Sequence, residues 1–329
     1  MHGSRRGHSL FRAGCLALVT LMPLLCASPV WTADSSLTIT PQTSHTEALL
    51  MGLYFLRAEQ GWAVGSGGTI LKTVDGGKKW KKIASGNTAS LSAVFFFDEK
   101  QGWAVGANGT ILRSQDGGNT WHQQLVETQV SFYGLSFVSA SEGWVVGGNG
   151  TILHTKDGGV HWLDQTSKTS AALYGVQFLT ARHGTIVGAV GTVLMTDDGG
   201  ATWTPQETQG AATLFDVYFT DASTGWAVGN AGAIFHTTTG GTQWIDRTLP
   251  CTRTCTKLTD LLRVRFTDPQ TGWIVGERGM VFQTTDGGFT WEEQGAIAKV
   301  SLFGLSFPDG TQGWASGENG TIVRLTIGR

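Results

Sequence analysis

The chain has 329 residues, of which only 15% are charged, and it contains 47 glycines and 13 tryptophans. This excludes disorder, which needs high charge and few aromatics, and a helical bundle, because glycine at this density destabilises helices; short strands and tight turns use such a composition. The formal net charge is −2, and loss of Arg5, Arg6 and Arg12 with the leader described next leaves 20 basic against 25 acidic residues, or −5, which argues against a nucleic-acid partner.

At the N-terminus, these three arginines precede an apolar run from Ala13 to Leu25, and the small residues Ala27, Ser28 and Ala33 follow. The pattern predicts a secretory signal peptide over residues 1–33, cleaved between Ala27 and Asp34. The run is short of the ~20 residues of a membrane span. Gly7-His8-Ser9 lacks the apolar residues that follow a twin-arginine pair, and Pro23-Leu24-Leu25 lacks the small residue of a lipoprotein signal before Cys26. Residues 34–329 are expected as one exported domain, monomeric and without a further apolar span.

The next element, Leu37–Thr40, alternates like a strand but has no neighbour to pair with. After it the sequence repeats. Gly-Trp-Ala-Val-Gly or a close variant begins at Gly61, Gly102, Gly143, Gly184, Gly225, Gly272 and Gly313, at intervals of 41, 41, 41, 41, 47 and 41. A second motif, Thr/Ser-x-Asp-Gly-Gly-x-x-Trp, ends at Trp80, Trp121, Trp162, Trp203, Trp244 and Trp291, with Thr239 replacing the Asp in the fifth copy. Each copy holds four strand-like runs, which in the second are Leu91–Phe97, Gly102–Gly106, Thr110–Ser114 and Trp121–Val126. Asn108-Gly109, Asn149-Gly150 and Asn319-Gly320 mark hairpins between second and third runs, because both residues tolerate positive φ.

A four-stranded unit of this length is a propeller blade, which cannot bury both faces alone. The predicted fold is therefore all-β, a seven-bladed β-propeller with four strands per blade. The seventh copy stops after Thr321–Ile327 and lacks its outer strand. Leu37–Thr40 is expected to supply it and close the ring.

The second motif is the Asp-box found in bacterial neuraminidases. Its carboxylates, Asp75, Asp116, Asp157, Asp198 and Asp286, are expected to accept hydrogen bonds from turn amides while the tryptophan packs between blades. A sialidase also needs clustered arginines, a Tyr–Glu pair and an acid near the axis, and retaining glycosidases of the usual kind need two facing carboxyls. The inner strands, which begin at Leu50, Leu91, Phe132, Leu173, Leu214, Leu261 and Leu302, offer Asp216, Arg263 and Arg265 as their charged residues. Tyr54, Tyr133, Tyr174 and Tyr218 alternate with small residues there and are expected to pack between blades. His154 and His236 share one third-strand position in different blades, and no histidine pair has a ligand spacing. No catalytic residue, metal or cofactor is predicted.

One segment breaks the repeat: six extra residues between the fifth and sixth copies, around Cys251-Thr252-Arg253-Thr254-Cys255-Thr256-Lys257. Cys251 and Cys255 are the only cysteines after the leader, and in an exported chain they are expected to form a disulfide that stiffens the loop. Propeller geometry puts Arg253 and Lys257 on the face that carries Glu277 and Arg278, with Arg263 and Arg265 on the adjoining inner strand. Asp216 matches Arg263 in repeat register and is read as its interblade ion partner. The remaining basic cluster suits an acidic or C-terminal segment of a partner protein, or is a solvated loop with no task.

The order Leu-x-x-Val-x-Phe, Gly-Trp-Ala-Val-Gly-x-x-Gly-Thr-Ile-Leu, Thr-x-Asp-Gly-Gly-x-x-Trp resembles the photosystem II stability and assembly factor family over residues 37–327. The resemblance implies seven blades, an exported location, no enzymatic activity, and binding to a membrane-protein precursor through a face that includes arginines. It suggests Arg253, Arg263, Arg265 and Arg278 as contacts. The site is then the periplasm, or the thylakoid lumen in a photosynthetic host, and the partner a membrane protein or envelope complex. The alternative is a sialidase-like propeller that binds or hydrolyses glycans.

Overall fold

The structure is a computed structural model that describes residues 37–208, 210–249 and 259–328. The expected leader, the Cys251/Cys255 pair, Arg253 and Lys257 lie outside the described residues. Among the described residues the chain forms seven four-stranded antiparallel sheets, each in sequence order except the last. Blade 1 consists of Leu50–Arg57, Gln60–Gly65, Thr69–Thr73 and Lys81–Ile83 from the axis outwards. The inner strands of blades 2 to 7 are Leu91–Phe96, Phe132–Phe137, Leu173–Phe178, Leu214–Phe219, Leu261–Phe266 and Leu302–Ser306.

Ring closure follows the count of motifs. Leu37–Gln42 pairs antiparallel with Ile322–Ile327, from Leu37 opposite Ile327 to Gln42 opposite Ile322. Gln42 then reaches into blade 1, donating to the Gly76 carbonyl at 3.0 Å and accepting from the Trp80 indole at 3.1 Å. The two ends of the propeller thus share one sheet.

The repeat is explained by one aromatic joint found at five of the seven seams; Thr185 replaces the tryptophan at the blade 4–5 seam, and Trp273 and Phe307 lie 5.9 Å apart at the blade 6–7 seam. Phe96 on an inner strand stacks on Trp62 of the preceding blade at 3.5 Å and meets its own Asp-box Trp121 edge-on at 5.7 Å. The joint recurs with Phe55 on Trp314, Phe137 on Trp103, Phe178 on Trp144 and Phe266 on Trp226, at 3.5 to 3.9 Å. Such pairs add roughly 0.5–1.5 kcal/mol each beyond the area they bury. Glycine opens the second strand because a Cβ on Gly102 would lie 2.4 Å from the Phe96 ring.

A hydrogen bond completes the joint. The second-strand indoles of Trp62, Trp103 and Trp144 donate to the carbonyls of Gly117, Gly158 and Gly199, in the Asp-box of the next blade, at 2.9 to 3.2 Å. Within each box the side chains do the folding. Thr196 Oγ1 accepts from the Gly200 amide at 2.8 Å, and Asp198 Oδ1 accepts from the Thr202 amide at 2.9 Å. Hydrogen bonds from the Thr202 amide, the Thr202 hydroxyl and the Thr196 hydroxyl hold the Asp198 carboxyl at about 2. Asp75, Asp116, Asp157 and Asp286 repeat the arrangement, and all are held below the usual carboxylate range.

The fourth strands are shorter than the sequence suggests. His122–Gln123 forms the outer strand where the sequence predicts Trp121–Val126. Its outer edge has no sheet partner among the described residues, and the chain turns early towards the next blade.

Candidate partner-binding face and axial cavity

Inner strands of a propeller run side by side down the axis, and their exposed edges need partners. The side chain at the fifth inner-strand position supplies them. Ser306, Ser136 and Gln177 accept hydrogen bonds from the amides of Phe55, Phe178 and Phe219 of the next blade, at 2.9, 3.0 and 2.6 Å. The third position is glycine or alanine in five blades (Gly52, Ala93, Gly134, Gly175, Gly304), and a Cβ on Gly52 would lie 2.9 Å from the Cα of Ala93. Blades 5 and 6 instead carry Asp216 and Arg263 there, and blade 6 adds Arg265 at the fifth position.

The ion pair differs from the one expected. Asp216 Oδ2 accepts from Arg265 Nη1 at 2.6 Å and from the Val264 amide at 3.0 Å, while Arg263 Nη1 donates to the Leu262 carbonyl at 2.8 Å. Matching repeat register does not mean side-chain contact, because the Asp216 carboxylate reaches one residue past the match, to the Val264 amide, and there meets Arg265. Burial pulls the Arg263 guanidinium below its ordinary value, with Asp216 opposing; an arginine stays charged regardless.

These charges face an axial cavity of about 440 Å³ whose wall includes Tyr54, Tyr133, Tyr174 and Tyr218. The tyrosines do pack from blade to blade: the Tyr133 and Tyr174 rings lie 5.1 Å apart, and the Tyr218 hydroxyl donates to the Phe266 carbonyl at 3.3 Å. The expected packing omits their second role, because the same rings line the cavity. Burial raises the Tyr54 hydroxyl to about 12. Asp216 is the only carboxylate among the lining residues.

Arg57 is an inner-strand arginine that the repeat window misses, since it closes the eight-residue strand Leu50–Arg57. It faces solvent and pairs with Glu99. Among the described residues no three His, Cys, Asp or Glu side chains converge as metal ligands would.

The predicted basic patch divides in two. Arg278 sits exposed in the turn Glu277–Gly279 at the mouth of the propeller, donating to Thr259 Oγ1 at 3.2 Å. That turn follows Gly276, which pairs with Leu261. Arg263 and Arg265 lie two and four residues further down the inner strand, about 7 and 13 Å at the usual rise. Arg278 therefore belongs to the face, and the other two belong to the cavity wall. Arg278 also holds φ at 56°, where blades 2, 3 and 7 have Asn108, Asn149 and Asn319. Blades 4 and 5 hold Val190 and Ala231 at the same φ, so the turn accepts residues other than the asparagine or glycine that suit it best.

Comparison with known proteins follows this geometry. A family profile described as Photosynthesis system II assembly factor YCF48 matches residues 83–167 and 254–326. No curated protein matches the sequence. Among solved structures, "YCF48 bound to D1 peptide" superimposes with a TM-score of 0.71 at 21% identity, covering 88% of this chain and 94% of that one. YCF48 from Cyanidioschyzon merolae gives 0.72 at 21% identity, covering 88% and 98%. A streptogramin B lyase gives 0.74 at 13% identity, covering 89% and 98%. At such identities the structural likeness is one of fold, and the same ring serves an enzyme as well. With the profile match over its repeats, the chain resembles the photosystem II assembly factor family of seven-bladed propellers.

Proposed function

We propose that this protein is an exported, non-catalytic propeller that binds a membrane protein or envelope complex and helps to assemble or stabilise it. The observation that carries the reading is the concentration of basic residues where the repeat breaks. A chain with 25 acidic residues displays Arg278 in a strained turn of the blade that follows the Arg253–Lys257 insertion. The profile match and the D1 peptide bound by a structural relative support a protein client. An acidic or C-terminal segment suits such a face, because charge-assisted hydrogen bonds to arginine fix both orientation and register. Cleavage between Ala27 and Asp34 would place the propeller in the periplasm, or in the thylakoid lumen of a photosynthetic host.

The test is photo-crosslinking from position 277, beside Arg278 in the same turn, in the native host, followed by identification of the crosslinked protein. An integral membrane protein that disappears in the triple variant Arg253→Glu, Lys257→Glu, Arg278→Glu is the expected result. A soluble partner, or an unchanged crosslink, would remove this face from the proposal. Release of sialic acid from a fluorogenic sialoside by the purified protein would favour the glycan-active alternative.

A further inference from the structure

The strand positions that close the ring leave two guanidiniums with a single carboxylate between them in the axial cavity. In five blades the third inner-strand position is glycine or alanine, which lets neighbouring inner strands approach. Asp216 and Arg263 depart from this rule in adjacent blades, so the aromatic joint of the repeat does not account for them. Asp216 is already committed to blade 6, since its Oδ2 holds the Arg265 guanidinium and the Val264 amide. Among the described residues Arg263 donates only to the carbonyl of its own neighbour, Leu262. Arginine has five donors in a planar fork, and Arg263 remains half-buried on the cavity wall. With Asp216, Arg263 and Arg265 as the charged lining residues, the wall carries one excess positive charge.

Aromatic rings stand among the aliphatic and small residues of the remaining wall: Tyr54 lies 5.0 Å from Phe95, and Tyr174 lies 5.1 Å from Tyr133. A concave cavity that sets aromatic rings beside a few convergent polar groups has the character of a small-ligand site. Its volume of about 440 Å³ is within the range of such sites.

We propose that the axial cavity binds a carboxylate carried on an aromatic body, with Arg263 holding the carboxylate and the tyrosines packing against the ring. Arg265 contributes less attraction, because the Asp216 carboxylate at 2.6 Å neutralises its charge. The site is separate from the Arg278 face and stands whether or not that face binds a membrane protein. Two sources share this chemistry: a free aromatic acid, and a chain end whose last residue is aromatic.

The experiment uses the mature protein and ligand-detected NMR with millimolar 3-phenylpropionate and its amide, together with a tetrapeptide ending in phenylalanine, as free acid and as amide. Binding of at least one acid is expected, with its amide weaker by roughly tenfold, the usual scale of a lost charge-assisted contact. Arg263→Gln is expected to abolish the preference for acid over amide, and Arg263→Lys to keep part of it. Asp216→Asn is expected to tighten acid binding by freeing Arg265. Binding of phenylpropionate alone would identify a free metabolite as the source, and binding of the peptide acid alone a chain end. Near-UV circular dichroism checks that each variant is folded. The proposal is overturned if neither acid binds, if acid and amide bind alike, or if folded Arg263→Gln keeps the preference.

Discussion

The seam between blades 1 and 2 and the seam between blades 5 and 6 are built from the same repeat. In the first, Trp62 stacks on Phe96 at 3.5 Å with 9° between planes, and its indole donates to the Gly117 carbonyl at 3.1 Å. In the second, Trp226 meets Phe266 at 3.9 Å and 25°, and its buried indole nitrogen has no hydrogen-bond partner among the described residues. The third-strand residue packed near the tryptophan changes as well. Lys72 reaches Asn119 at 3.0 Å, whereas His236 is buried and neither ring nitrogen meets a partner among the described residues. Thr239 replaces the box carboxylate of blade 5, and Asp216 and Arg263 replace the small residues at the axis. The repeat is thus tight at the seam of blades 1 and 2 and relaxed in blades 5 and 6, as it is in blade 4, where Thr185 stands in place of the tryptophan.

The largest expected effect tests the joint itself. Trp62→Ala should cost about 3–5 kcal/mol, and Trp226→Ala about 1 kcal/mol less, because no hydrogen bond is lost with it. Urea unfolding of both variants measures the difference, and equal losses would mean that the two seams are equally tight. Next, Arg265→Met leaves Asp216 with only the Val264 amide on its bound oxygen. A loss of about 1–3 kcal/mol is expected, below that of a fully buried pair because the arginine is partly exposed. Chemical denaturation checks it, and a neutral result would make Asp216 independent of its partner.

A third prediction concerns acid. Burial, followed by the charge of Arg247, pulls the His236 imidazole below its ordinary 6.5. The unfolded chain therefore binds the proton more readily, and stability falls as pH drops through 6.5. Burial also pulls the His154 imidazole of blade 3 down, but there Glu142, 3.2 Å from its Nε2, opposes the shift, while the equivalent of Glu142 in blade 5 is Thr224. His236→Met, which copies the Met195 of blade 4, should remove part of this acid sensitivity, as read from melting temperature between pH 5 and 7. An unchanged pH profile would count against His236 as its source. The smallest effect is a gain: Thr239→Asp restores the box and should add about 0.5 kcal/mol at neutral pH. The Asp116 carboxyl falls from 3.8 to about 2 because turn hydrogen bonds outweigh burial. The Thr239→Asp variant should lose its advantage over the same window as pH falls, and a gain that persists below it would have another cause.

Much of the fold is legible in the sequence because its determinants are local or periodic. Gly102 and Trp103 recur at one spacing, and the missing seventh Asp-box tryptophan points to the strand Leu37–Gln42 that closes the ring. The candidate site is less legible. Hairpin register alone places Arg278 correctly on a blade face, but the same reading groups Arg263 and Arg265 with it although strand rise carries them into the cavity. Repeat position matches Asp216 to Arg263, while its side chain reaches one residue further, to the Val264 amide and Arg265.

What the sequence determined by itself is the number of blades, the place of closure and the tasks of the repeated residues, because each blade carries the same local instructions. Tertiary structure alone decided which side chains meet across seams and which face the axis. Those contacts join residues about 40 to 60 positions apart, or opposite ends of the chain, and depend on the bulges and stagger of neighbouring strands. Periodicity places a residue on a strand, but only the packed ring shows that the tyrosines read as interblade packing also line a cavity beside Arg263.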